Sequence, residues 1–386
     1  MSNPIEAEVV IVGAGPAGLA TARCLQQYSV SSTILEKENC CASLWKHRSY
    51  DRLKLHLAKE FCSLPHLKFP LSFPKFVPRE GFIQYMDEYA SKLNKKPLYK
   101  RLVQSATYDH SLKKWLIESY NTELGEVDIY KAQFLVVASG ENSEGVIPKF
   151  PGMDTFPGEI IHSSQYRSGV HFVGKKTLVV GCGNSGMEIA YDLWNHGVNT
   201  SIVVRNPLHI LNKEMVYIGM SLLKFIPLSF VDRLITFFAK AKYGDLTKFG
   251  LKRPEKGPFY LKATSRRSPV IDVGTIREIK RGNIKVNPGI ISINEGAILF
   301  ENGEEKVFDA IICATGYKST TNNWLKDFYY VLNASGMPKM EFPNHWKGEN
   351  GLYCAGFSSR GLAGISKDAE AIARDIKEKQ KMMKRE

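Results

Sequence analysis

Short, wholly apolar runs ending in glycine alternate along this chain with segments of helical period. That alternation predicts an α/β protein built on parallel strands buried on both faces. Val9, Val10, Ile11 and Val12 form the first run, in EVVIVGAG, and AGLATARCLQQY follows with apolar residues at helical spacing. The pattern returns in TLVVGCGNSGMEIAYDLW, and STILEKE and TSIVVRN supply the strand that follows each loop and helix. FLVVASGEN (134–142) and FDAIICATGY (308–317) are further apolar strands with small residues at the exit. Such exits either let the backbone pass close to a bound group or simply leave the sheet. The most apolar segment is MVYIGMSLLKFIPLSFVDRLITFFAKAKYG (215–244), interrupted by Lys224, Pro227, Asp232 and Arg233. It predicts two amphipathic helices kinked at Pro227 and no integral membrane span. A lid over a substrate channel, a helix resting on a membrane surface and an ordinary packed insertion all fit it.

The glycines sit where a nucleotide needs them. In GAGPAG, Gly13 allows the strand-to-helix turn, Gly15 lets backbone amides approach a pyrophosphate, and Gly18 lets the helix lie against the strand. Ala14, Pro16 and Ala17 complete that loop, and the helix N-terminus adds partial positive charge. Glu36 ends the next strand, where a carboxylate accepts from ribose hydroxyls and repels a 2′-phosphate, so this loop suits the adenosine half of FAD. The second loop runs Gly181, Cys182, Gly183, Asn184, Ser185, Gly186, and its following strand ends in Arg205 instead of an acid. An arginine there holds a 2′-phosphate bidentately and selects NADPH, unless it is only a solvated charge at a strand end.

The expected architecture is therefore two Rossmann-like dinucleotide-binding domains, one for FAD and one for NADPH, the second inserted in the first. Residues 1–170 and 305–386 are expected to form the FAD domain and 171–304 the NADPH domain, with a helical insertion at about 213–245. On that division Ala314, Thr315 and Gly316 fall beside FAD.

Composition narrows the partners. At 386 residues and 44% apolar content the chain has ample material for two buried sheets. Its 52 Lys and Arg exceed 39 Asp and Glu, giving a net charge of +13. That excess is spread out, its densest run is the tail KEKQKMMKRE, and no aromatic and basic residues interleave as nucleic-acid binding requires. The seven cysteines (24, 40, 41, 62, 182, 313, 354) show no C-x-x-C and no metal-ligand spacing. They read as free thiols of a reducing compartment. Cys40 and Cys41 are adjacent, unlike the loop-closing pairs of flavin-linked disulfide reductases. No cleaved address is visible, and a cytoplasmic protein is expected, with the surface of the endoplasmic reticulum as the variant that membrane contact would bring.

Between the two glycine loops lies F-x-G-x-x-x-H-x-x-x-Y, complete as Phe156, Gly158, His162 and Tyr166. With LWKHRSYDRLKLHLAKEFCSLP, SGENSE, GCGNSGMEIAYDL, FGLKRPEKGP, PVIDVG, ATGYKS and GLYCAGFSSRGLAGISKDA, it makes nearly the whole chain resemble the class B flavin-containing monooxygenases. Within that class the chain is similar to the plant YUCCA-type indole-3-pyruvate monooxygenases. Ser139, where the family often has threonine, and Lys367, in a usually less charged place, are small departures that bear on substrate choice. The resemblance implies conversion of indole-3-pyruvate, or a related 2-oxo acid, with O2 to indole-3-acetate and CO2 through a C4a-(hydro)peroxyflavin, a step of auxin biosynthesis. Amine-oxygenating relatives place an asparagine against the flavin where this chain has His56, so His56 is a candidate catalytic group, or else a packed, half-buried histidine. His162 is expected to join the two domains and shape the NADPH cleft instead of transferring a proton, and Asn142 to bond the nicotinamide side or merely to stabilise a turn. Two other readings stay open: N- or S-oxygenation of a soft nucleophile, and a non-catalytic nucleotide-binding regulator.

Overall fold

A computed structural model describes residues 3–384 and shows two compact units. Among the described residues the first comprises 3–48, 58–144 and 317–384, and the second 49–57 and 145–316, so the chain passes between them four times.

The first unit is organised by the strand Ile5–Val12, whose last four residues are buried. It pairs in parallel with Ser32–Leu35 on one side and with Glu126–Val137 on the other. Glu126–Val137 does two jobs along its length. Its first half is antiparallel to Lys114–Asn121, in register Trp115 to Ala132, and continues through Arg101–Asp109. Its last three residues, Leu135 to Val137, are buried against Leu352–Cys354 in parallel. The helices Pro16–Gln27 and Gly361–Met383 pack against each other in this unit. Gly361–Met383 turns Ala369, Ile372, Ala373 and Ile376 inward at helical spacing.

The second unit is built on five parallel strands in the order Ile284–Asn287, Asn199–Val203, Lys176–Val180, Ala310–Cys313, Glu159–His162. Leu178, Val179, Ile202, Ile311 and Ile312 are almost wholly buried, as continuous apolar runs covered on both faces should be. One face is covered by the helix Asn184–Asn195 and the other by an antiparallel sheet of Ile290–Asn294, Ala297–Phe300 and Glu305–Val307. The apolar insertion forms the helices Lys213–Leu222 and Leu228–Tyr243, with Pro227 at the N-cap of the second. Among the described residues no helix is long and apolar enough to cross a membrane.

The units do not divide where the sequence suggested, at 171 and 305. The second one starts at Gly145 because Glu159–His162 is an edge strand of its sheet, pairing Cys313 with His162. It runs on to Gly316 because Ala310–Cys313 lies inside that sheet, between Glu159–His162 and Lys176–Val180. It also includes 49–57, a segment in which no periodic element was legible.

Ile312 lies wholly buried on an interior strand of the second sheet. Ile312→Ala should therefore destabilise this unit by about 2–5 kcal/mol. Urea unfolding followed by circular dichroism should show the transition moved to lower denaturant.

Candidate functional site

At the first loop the backbone passes so close to itself that side chains are excluded. Gly13 has φ +111°, and a Cβ added there would lie 2.5 Å from the Ala138 carbonyl oxygen. A Cβ on Gly18 would lie 1.9 Å from the Gly13 oxygen. Gly15 is different: nothing stands within 4 Å of its missing Cβ, which leaves open space at the mouth of the loop. Gly15 is also the N-cap of Pro16–Gln27, with no side chain capping the helix, so the amides of the first turn point at that space. Glu36 is buried, and its carboxylate takes the Ala14 amide at 2.6 Å and the Glu38 amide at 3.0 Å. Burial pushes its pKa up, and those two amides pull the other way. It thus fixes the loop while each oxygen keeps a lone pair for a further donor such as a ribose hydroxyl.

The second loop has the same geometry. Gly181 has φ +109° and a Cβ added there would lie 2.5 Å from the Ala314 oxygen, a Cβ on Gly186 would lie 1.9 Å from the Gly181 oxygen, and one on Gly183 would meet nothing within 4 Å. Gly183 is the uncapped N-cap of Asn184–Asn195. The Asn184 side chain is committed elsewhere, accepting from the Ile271 amide at 2.7 Å, and Ser185 lies beside the Tyr50 phenol. Burial raises the Cys182 thiol pKa, opposed by the positive charges of Arg267 and Arg205. Both arginines therefore lie within electrostatic reach of this loop. Arg205 is exposed just past the strand Asn199–Val203, and Arg267 donates from Nη2 to the Pro207 oxygen at 2.7 Å, which anchors it at that strand's exit. Sequence reasoning missed Arg267, because only the folded chain brings the SRRSP segment to the end of TSIVVRN.

Three residues expected beside FAD are placed otherwise. Ala314 backs the second glycine loop, Thr315 donates to the Val146 oxygen, and the Gly316 oxygen accepts from His162. All three follow Ala310–Cys313, a strand of the second sheet, so they flank the second glycine loop. The first loop's counterpart is Ala138–Gly140, whose Gly140 has φ +90°. Asn142 lies in the first unit, exposed in the turn where Ser143 Oγ donates to the Ser139 and Gly140 oxygens.

His56 is held by a carboxylate. Its Nε2 lies 3.1 Å from Glu188 Oε1, while the Tyr50 hydroxyl donates to Glu188 Oε2 at 2.9 Å. Burial opposes ionisation of Glu188, yet its pKa is held below the ordinary value by His56 and Tyr50. One turn on, Asp192 Oδ2 accepts from the Tyr166 hydroxyl at 2.6 Å and from the Gly169 amide at 2.9 Å. Arg52 lies 3.6 Å from Asp192 Oδ1, with its guanidinium over the Tyr191 ring. Residues 49–57 are thereby fastened to the helix that starts at the second loop.

The histidine-centred motif is a set of close contacts inside the second unit. Phe156 is in the core, and a Cβ on Gly158 would lie 2.2 Å from the Asp309 oxygen. His162 is 3% exposed. Its Nδ1 accepts from the Ser164 amide at 3.2 Å, which leaves Nε2–H to donate to the Gly316 oxygen at 3.0 Å. Burial lowers the His162 pKa against the pull of that carbonyl, so the ring is neutral at physiological pH and acts as a pin. Cys40 and Cys41 are free thiols whose pKa burial raises, for Cys41 to about 11, which disfavours the thiolate a redox pair needs.

The sequence pattern described as flavin-binding monooxygenase-like matches residues 6–345. The probable indole-3-pyruvate monooxygenase YUCCA10 of Arabidopsis thaliana is 54% identical over 374 residues, covering 97% of this chain and 98% of that protein. The indole-3-pyruvate monooxygenase YUCCA1 of Oryza sativa subsp. japonica is 45% identical, covering 95% and 90%. Among solved structures, a flavin-containing monooxygenase from Stenotrophomonas maltophilia is similar with a TM-score of 0.74 at 18% identity, covering 97% of this chain and 99% of that one. An oxidized steroid monooxygenase bound to NADP gives 0.72 at 17%, covering 96% and 85%. These structural likenesses show the fold.

The two loops should fail separately. Gly18→Ala should lower flavin absorbance per protein, whereas Gly186→Ala should keep the flavin and lose NADP+ affinity in calorimetry. Glu188, with its folded pKa lowered, contributes stability that is present above the unfolded value and lost as pH falls through the folded one. Glu188→Gln should therefore lower the urea midpoint at about pH 7 and flatten its decline towards about pH 4.

Proposed function

The chain belongs to the flavin-binding monooxygenase-like family, and from that premise we propose that it is an FAD- and NADPH-dependent monooxygenase of indole-3-pyruvate. The reaction is indole-3-pyruvate + NADPH + H+ + O2 → indole-3-acetate + CO2 + NADP+ + H2O, a step of auxin biosynthesis. The observation that carries this reading is the matched pair of Cβ-free loops, each opening an uncapped helix, in a chain whose indole-3-pyruvate monooxygenase relatives align along nearly its full length.

The residues fit the two groups. Gly13 to Gly18 and the first-turn amides suit the FAD pyrophosphate, and Glu36 suits the ribose hydroxyls beside it. Gly181 to Gly186 suit the pyrophosphate of NADPH, and Arg205 with Arg267 suits its 2′-phosphate. When bound, FAD supplies hydride acceptance and oxygen activation, and NADPH supplies the electrons. The protein's own work is mainly to hold and orient. His56 is best read as a positioning residue acting through Glu188, and His162 as a neutral prop for Gly316 beside the NADPH loop. The seven free cysteines suit a reducing compartment, and we place the protein in the cytoplasm.

Stopped-flow reduction by NADPH without oxygen, followed by oxygenated buffer with indole-3-pyruvate, should give flavin bleaching and indole-3-acetate in proportion to NADPH consumed. Oxygenation of an amine or thioether with the keto-acid left intact would replace this reading by the soft-nucleophile one. A protein that NADPH does not reduce would remove the enzyme reading altogether. Arg205→Ala and Arg267→Ala should each raise KM for NADPH by about tenfold or more, with KM for NADH nearly unchanged, since a hydrogen bond to a charged group is worth about 1.5–3 kcal/mol.

A further inference from the structure

The helices Lys213–Leu222 and Leu228–Tyr243 bury only one side of their apolar content. Val231, Ile235 and Ala239 face the core, while Phe225, Phe230 and Phe237 are 86%, 62% and 64% exposed. Leu222, Ile226, Phe230, Leu234 and Phe237 line one continuous shallow groove with almost no polar surface. Contiguous exposed apolar surface of this kind marks a contact that the folded chain alone does not make.

The charge beside the groove indicates what covers it. Arg233 lines the groove itself, and Lys240 and Lys256 line the adjoining one with Phe237 and Tyr260. The Lys256 ammonium lies over the Tyr260 ring, 5.1 Å from its centre. The acidic residue of this helix, Asp232, is turned inward, where it accepts from the Phe259 and Tyr260 amides at 2.8 and 2.9 Å. That leaves Glu255 as the one exposed carboxylate along the two grooves. A projecting aromatic face rimmed by cations is the complement of an anionic lipid surface: the rings enter the acyl boundary and the cations meet the head groups. A second copy of the same face would instead set like charges against one another.

We infer that residues 222–260 form a peripheral docking surface for anionic lipid bilayers, with Phe225, Phe230 and Phe237 as the inserted anchors. The surface is separate from the nucleotide loops, so the inference goes beyond the catalytic reading and does not depend on it.

The test is sedimentation of the FAD-loaded protein with vesicles of phosphatidylcholine, with and without about a third phosphatidylserine. Binding to the anionic vesicles only, weakened by salt, is expected. Phe225→Ser with Phe237→Ser should weaken it about tenfold or more. Lys240→Glu with Lys256→Glu, which leaves the rings in place, should weaken it as well. NADPH oxidation in free solution should be unchanged in both variants, which separates lost docking from lost folding. Failure of the wild type to sediment with either vesicle would overturn the inference, as would equal binding to both. A dimer in light scattering that the serine variant converts to monomer would overturn it too and give the face to a second copy.

Discussion

The structure depends on a place where no side-chain carbon fits. In both loops a Cβ on the third glycine would come within 1.9 Å of the first glycine's oxygen, and a Cβ on the first glycine would lie 2.5 Å from the carbonyl oxygen of a neighbouring strand's exit. That approach sets each helix directly over the end of its strand, so its N-terminal amides open on the space left by the middle glycine. A substitution at the first or third glycine must push helix and sheet apart. One at the middle glycine meets nothing in the protein and costs only what it takes from the ligand. The same constraint explains why the strand exits at Ala138 and Ala314 carry small residues: their carbonyls are the surfaces against which the loops close.

The helix of the second loop has an additional anchor. Glu188 and Asp192 lie one turn apart on its buried face, and between them they receive Tyr50, His56, Tyr166, the Gly169 amide and Arg52. Burying two carboxylates is costly unless every lone pair in reach is met, and here partners come from two distant stretches of sequence. The Tyr of the family's histidine-centred motif and the 49–57 segment therefore serve one purpose: they lock the direction in which this helix presents its first turn.

What the sequence made legible was local. The strand, glycine loop and helix units read directly from apolar runs and glycine spacing, as did the break at Pro227, because each is decided within a few residues of chain. What it concealed was set by pairing between distant segments. ATG was assigned to the first nucleotide by its place along the chain, yet its strand lies between Glu159–His162 and Lys176–Val180. His56 was read either as a group beside the flavin or as a packed, half-buried histidine; it is half-buried, but nothing in LHLAKEF announces its partner Glu188, which stands on a helix far along the sequence. Arg267 escaped for the same reason, since its anchor is a backbone carbonyl, which has no sequence signature.

A division of labour follows. Both nucleotide loops are made almost entirely of backbone, so their geometry is common to any chain that keeps the glycines, and it says little about which nucleotide each one holds. On the proposed reading, discrimination would rest on the side chains added at the exit of the next strand: the buried carboxylate of Glu36 at one loop, Arg205 and Arg267 at the other. Glu36 is fixed by two amides of its own loop and neighbourhood, so its position is as rigid as the backbone. The arginines are exposed at a strand exit on long stems, so whatever selection they make is less rigidly held than that of Glu36 and would be the more easily altered of the two.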